Sequence, residues 1–203
     1  MSEVAKKPAS TVGLRDVVWC MVTADKAPDG TTEGVYETGE VRKLAGAIDA
    51  ALSNQNSEPD VQYFDDVEGD VTYPDPEIEM TLELADLPPD EAAAILGATV
   101  DQNGVTVNKA GDKSPYIAMG FKSRKSNGVD RFVWLYVGRA RMTDENYHTK
   151  EGEDLTRQSA KLTITFLKRK KDDAWRGYVD TDNAKFDSAK ATFFNAPYEP
   201  VMG

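Results

Sequence analysis

The run Glu77-Ile78-Glu79-Met80-Thr81-Leu82-Glu83-Leu84 alternates polar and apolar side chains without a break. A period of two fits only an extended strand, because successive side chains on a strand point to opposite faces. One face of that strand is therefore core and the other is acidic, and a slip of one residue would bury the glutamates. Weaker versions of the pattern predict strands over residues 16–23, 43–52, 116–123, 130–142, 160–169 and 174–180. The chain reads as mainly β. Ser126-Asn127-Gly128 separates two of these strands, and Asn-Gly supplies the positive φ that a tight hairpin turn requires. Lys170-Lys171-Asp172-Asp173 reads as a second, looser hairpin.

One helix is predicted, over about 87–96. Pro88 and Pro89 stand at its start, Asp90 and Glu91 in the first turn where the helix dipole favours acids, alanines inside, and Gly97 at its exit. A weaker helical signal begins near Asp187 or Ser188 and carries Phe193 and Phe194 toward a core. Residues 54–75 are polar, acidic and rich in turn formers, with a short strand at 61–64 as their one periodic element, and read as a long exposed loop suited to contact. Residues 143–158 read as a second polar connection of that kind.

A chain of 203 residues buries enough surface for one good core, so one domain is expected over 12–203, behind a flexible arm at 1–11. Lys6 and Lys7 without an apolar run do not make a secretory signal, and no stretch is long and apolar enough for a membrane-spanning helix. Cys20 is the only cysteine, which excludes an internal disulfide and fits synthesis in a reducing cytoplasm. The net charge of -11 is unevenly spread: between Leu44 and Asn108 there is no Lys or Arg, while fifteen Asp and Glu fall there. From Lys109 onward eighteen basic residues outnumber thirteen acidic ones. The acidic middle argues against gripping a nucleic-acid backbone, and it suits a surface that stays solvated or meets a basic neighbour.

Sites for chemistry are scarce. One histidine, His148, and one cysteine cannot build a zinc site of usual spacing. His148 lies in a polar run and reads as a solvated surface residue, and Cys20, inside Val17-Val18-Trp19-Cys20-Met21-Val22, reads as buried filler. Asp180-Thr181-Asp182-Asn183 opens like a calcium loop but has Lys185 where the glycine belongs and Ala191 where the bidentate glutamate belongs. There is no glycine-rich phosphate loop. Glu77, Glu79 and Glu83 form a row on one strand face, whereas glycosidase carboxylates face each other across a cleft. Lys168-Arg169-Lys170-Lys171, next to Asp172 and Asp173, reads as a solvated hairpin tip, and Trp19, Trp134 and Trp175 read as core or interface. No catalytic, cofactor or metal-binding residue is assigned.

Several segments together resemble the major tail protein family of long, non-contractile phage tails. They are Val12-Gly13-Leu14-Arg15-Asp16, Lys43-Leu44-Ala45, and Ala85-Asp86-Leu87-Pro88 leading to Gly97. The most specific block runs from Pro115-Tyr116-Ile117-Ala118-Met119-Gly120-Phe121-Lys122-Ser123 through Lys125-Ser126-Asn127-Gly128 to Phe132-Val133-Trp134-Leu135-Tyr136. Tyr147, Thr149-Lys150-Glu151 and Leu162-Thr163-Ile164-Thr165-Phe166 continue it in order. The resemblance implies a tail-tube-type β-sandwich or barrel with one flanking helix and long loops. It also implies hexameric rings stacked into a hollow tube, with a tape measure protein and a tail terminator as partners. Phage DNA would pass through the lumen without specific binding. The subunit would be made in the host cytoplasm, reside in the virion tail, take no cofactor, contact no membrane and catalyse nothing.

In that setting the row Glu77, Glu79 and Glu83 is expected to line the lumen, where a polyanion must slide and not stick. The loop residues Asp60, Asp65, Asp66, Glu68 and Asp70 are expected to contact the next ring. A related tube, such as that of a type VI secretion system or a tail-like particle, is the neighbouring reading. A monomeric β-sandwich adhesion or carbohydrate-binding module is the reading from a different class, and its argument is exposed aromatics with acidic loops. An enzyme is the third reading, and it lacks a clustered nucleophile motif.

Overall fold

The computed structural model describes residues 9–56, 58–64, 67–145 and 159–200. Its strands are β1 (Thr11–Lys26), β2 (Val35–Thr38), β3 (Arg42–Lys43), β4 (Ala47–Asn54), β5 (Asp60–Phe64), β6 (Val67–Thr72) and β7 (Ile78–Leu84). After the helix α1 (Pro89–Leu96) come β8 (Thr99–Val100), β9 (Thr106–Val107), β10 (Ile117–Lys125), β11 (Asp130–Glu145), β12 (Ala160–Leu167) and β13 (Arg176–Asp180). Nine strands form one sheet in the order β2-β1-β10-β11-β12-β7-β4, with β3 paired to β1 and β13 to β11. The protein is mainly β with one short helix, as the patterning predicts. The pairs β5–β6 and β8–β9 form separate two-stranded sheets, and the nine-stranded sheet does not close into a barrel.

Two cores sit on opposite faces of this sheet. The alternation of β7 sends Ile78, Met80, Leu82 and Leu84 into the larger one. Across β1 and β10 the faces are shared: Val17, Trp19, Met119 and Phe121 enter the larger core, while Val18, Cys20 and Ala118 enter the smaller. Burial on both faces explains why Val17-Val18-Trp19-Cys20 is a continuous apolar run and β7 is not. β11 changes sides partway along. Val133 and Leu135 face the larger core, a register shift follows, and beyond it Ala140 and Met142 face that core. The extra residue of this β-bulge places both Tyr136 and Val137 in the smaller core.

Helix α1 covers the larger core with Ala93 and Ile95. Its first turn is tied down by Glu91, which accepts a hydrogen bond from Trp19 Nε1 at 2.9 Å and pairs with Arg42 at 2.7 Å. Gly97 ends it in the left-handed region, φ 78°, and its N–H donates to the Ala93 carbonyl. Residues 184–200 cover the smaller core. They form a 3-10 turn at Ala184–Phe186 and successive turns, where the sequence suggested a helix, and they deliver Phe186 and Phe193 to the interior. Trp134 Nε1 donates to the Phe193 carbonyl at 2.8 Å, and Tyr136 Oη to the Tyr198 carbonyl at 2.9 Å.

Two sequence expectations change. Residues 54–75 are not an unstructured loop, because β5 and β6 pair as a hairpin there. The β-branched residues Val61, Val67, Val71 and Thr72 favour extended backbone there even without apolar alternation. Residues 170–173 are not a hairpin tip. β12 pairs with the second half of β11 and β13 with the first half, both antiparallel, so the chain keeps its direction and 168–175 is an excursion between collinear strands. Arg169 is fully buried inside it, ion-paired to Asp172 and Glu199 and set against the rings of Tyr36 and Tyr136 at 4.9 and 4.3 Å. A sequence of four adjacent cations hides this, because only the fold tells which of them turns inward.

Gly97 and Gly104 separate two costs of a side chain. Both have positive φ, but a Cβ at Gly97 would overlap the Lys113 carbonyl, whereas Gly104 has open space around it. Gly104→Ala should lose about 1 kcal/mol from left-handed strain alone. Gly97→Ala should lose a further ~1–3 kcal/mol from the clash. Urea denaturation midpoints of the two variants check this.

Candidate assembly surfaces

Strand β7 lies between β12 and β4, and its outward face continues across both. Glu79 is opposite Thr165 and Ser53, Thr81 opposite Thr163 and Ala51, and Glu83 opposite Lys161 and Asp49. Glu77 immediately precedes the strand and its carbonyl accepts from the Gln55 N–H. Glu79 and Glu83 thus share the sheet surface expected from alternation, with Glu77 just before the strand, but the neighbouring strands bring cations onto that surface. Arg141 lies 3.5 Å from Glu79, Lys161 lies 4.0 Å from Glu83, and Ser159 Oγ donates to Glu83 at 2.7 Å. Glu77 has no ion pair among the described residues. Cross-strand partners were not readable from β7 alone.

The hairpin β5–β6 carries Asp60, Glu68 and Asp70, while Asp65 and Asp66 lie outside the described residues. At its root Asp75 pairs with Lys168 at 2.8 Å. Of the arm at 1–11, residues 1–8 lie outside the described residues; the Ser10 carbonyl accepts from the Ser126 N–H at 2.8 Å, and Thr11 opens β1. His148 and most of the connection at 143–158 also lie outside them, and Thr143–Glu145 belong to β11.

The residues with chemical potential are committed to packing. Cys20 is buried, and desolvation pushes its thiol up to about 11, so it stays protonated and unreactive near neutrality. The phenol of Tyr136 is pushed up to about 12, again first by burial. Trp19 and Trp134 are fully buried and Trp175 is partly buried against the larger core. Among the described residues no cluster of His, Cys, Asp or Glu is arranged to hold a metal, and no helix is long and apolar enough to cross a membrane.

What the surface does present is strand edge. Among the described residues, the outer edges of β4 and β13 have no strand partner. Such edges invite pairing or contact unless they are blunted, and β4 carries neither proline nor lysine. Open strand edges of this kind suit contact with other chains. The sequence model of the phage tail tube protein family matches residues 9–195, and the chain belongs to that family. No curated protein matches it. Its role is therefore that of a structural protein of the phage tail tube, located in the virion tail.

Asp180 closes one end of the sheet by pairing with Arg131 at 2.7 Å and with Lys125. The hydrogen bond from Arg131, followed by that from Lys125, outweighs desolvation and holds its carboxyl at about 2. That value lies below the ~3.9 of an unfolded aspartate, so the stabilisation is complete above about pH 4 and is lost as the pH falls toward 2. Asp180→Asn should lower stability at neutral pH and flatten the loss between pH 4 and 2. Thermal melts across that window check both.

Proposed function

We propose that copies of this chain close into hexameric rings, that the rings stack into the hollow tail tube, and that the tube delivers DNA to the host. The reading rests on family membership over residues 9–195. It gains support from a sheet whose β4–β7–β12 surface is polar on one side and core on the other. In this reading the subunit is structural alone and catalyses nothing. It is made in the host cytoplasm and meets a tape measure protein and a tail terminator within the tail.

The face bearing Glu77, Glu79 and Glu83 lines the lumen. Thr81, Thr163 and Thr165 lie among the glutamates, and Arg141 and Lys161 are each near one of them. A wall of this kind offers DNA few unpaired cations and so gives little backbone affinity. The hairpin with Asp60, Asp65, Asp66, Glu68 and Asp70 reaches the neighbouring ring, and the arm at 1–11 ties rings together.

Electron microscopy of the purified protein tests the assembly, with rings or tubes expected and a persistent monomer opposing it. Deleting the middle of the β5–β6 hairpin should leave a folded subunit that forms rings but few long tubes. Glu77→Lys/Glu79→Lys/Glu83→Lys should yield particles that adsorb normally and eject DNA poorly, and normal ejection would remove these residues from the lumen.

A further inference from the structure

Two surfaces on this chain carry side chains that its own packing leaves partly uncovered, and they have opposite character. On β13, Arg176 and Tyr178 lie opposite Leu135 and Val133 on the face of the larger core, but at the sheet's rim. Tyr178 is 56% exposed. Two guanidiniums flank its ring, Arg176 at 4.4 Å and Arg131 at 5.4 Å, and Arg176 also stacks on Trp175 at 4.6 Å. Arg131 is committed to Asp180. Arg176 has no carboxylate partner among the described residues. Stacked in this way, the ladder Trp175-Arg176-Tyr178 is held in place before any partner arrives, so binding it costs little side-chain entropy. Trp, Tyr and Arg are the residues that dominate the energetics of protein contacts.

The second surface is the corner where β4 begins and β7 ends. Ile48 is 57% exposed there, beside Asp49, and Asp86 follows closely, with the Ala85 N–H bonded to the Gly46 carbonyl at 2.7 Å. Asp49 and Asp86 are exposed and have no cation partner among the described residues. The corner belongs to the segment that contains no Lys or Arg.

The ladder and the corner cannot meet within one chain. Asp49 lies in a cross-strand row with Glu83, Lys161 and Asp144, whereas Arg176 lies opposite Leu135. From Leu135 to Asp144 along β11 is about 30 Å at ~3.3 Å per residue. Surfaces that are complementary in charge, each with apolar area, and placed at opposite ends of one sheet suit a head-to-tail contact between copies.

We propose that Trp175, Arg176 and Tyr178 of one copy receive the corner Ile48, Asp49 and Asp86 of a second copy, with Arg176 pairing to the two aspartates and Tyr178 and Trp175 covering Ile48. The proposal rests on the tube-subunit reading and adds which surfaces join.

The test uses the full-length chain and two charge-reversed variants, Arg176→Glu and Asp49→Lys/Asp86→Lys, each shown by circular dichroism and thermal melting to fold like the wild type. Sedimentation velocity and negative-stain microscopy should show each variant alone with at least a tenfold loss of assembled material. An equimolar mixture should recover it, because alternating copies restore a complementary pair at every junction. Arg176→Lys, which keeps the charge but stacks less well, should assemble to an intermediate extent. Wild-type-like tubes from Arg176→Glu alone, or two deficient variants that fail to complement, overturn the pairing and leave the tube reading intact. A wild-type chain that stays monomeric overturns both.

Discussion

Everything else in this structure follows from one constraint: strands β1, β10 and the first half of β11 are apolar on both faces. A sheet of that kind cannot leave either side to water, so the chain must supply two covers. The larger core closes because the sheet continues through β12, β7 and β4 while α1 packs over it with Ala93 and Ile95. The smaller core closes because residues 184–200 lie back across the other face, delivering Phe186 and Phe193 and bonding to Trp134 and Tyr136. The bulge of β11 reconciles the two, since it turns the strand's apolar side chains from one parity to the other where the second cover ends.

Arg169 is the polar counterpart of this arrangement. Its guanidinium lies between Tyr36 of β2 and Tyr136 of β11 and pairs with Asp172 in its own excursion and Glu199 near the chain's end. A buried cation is costly unless every donor is used, and here two carboxylates and two ring faces meet it. Lys171 also reaches Glu199, at 2.7 Å. The second cover is thus fastened by charge as well as by aromatic packing, and the residues that fasten it are far apart in the chain.

The titratable groups inside the fold are fixed by their surroundings: Cys20 and Tyr136 are driven toward their neutral forms by burial, and Asp180 toward its charged form by Arg131 and Lys125. What remains exposed is a polar sheet face and, among the described residues, the unpaired edges of β4 and β13. Membership in the phage tail tube protein family gives those features their use.

Alternation along β7, the Asn-Gly turn, and the prolines, acids and closing glycine of α1 were legible in the sequence, because each is a local rule in which a residue's own neighbours decide the conformation. The family was legible for the same reason, through motifs contiguous in the chain. Tertiary structure alone decided that Arg169 turns inward while Lys168 and Lys170 do not, since that depends on Tyr36, Tyr136 and Glu199 arriving from elsewhere. It alone decided that β12 and β13 are collinear, because pairing partners along β11, and not the turn residues between them, set their direction. It also decided that Arg141 and Lys161 stand beside Glu79 and Glu83, because a strand's sequence determines which face a side chain takes, whereas the register of its neighbours determines what it meets there.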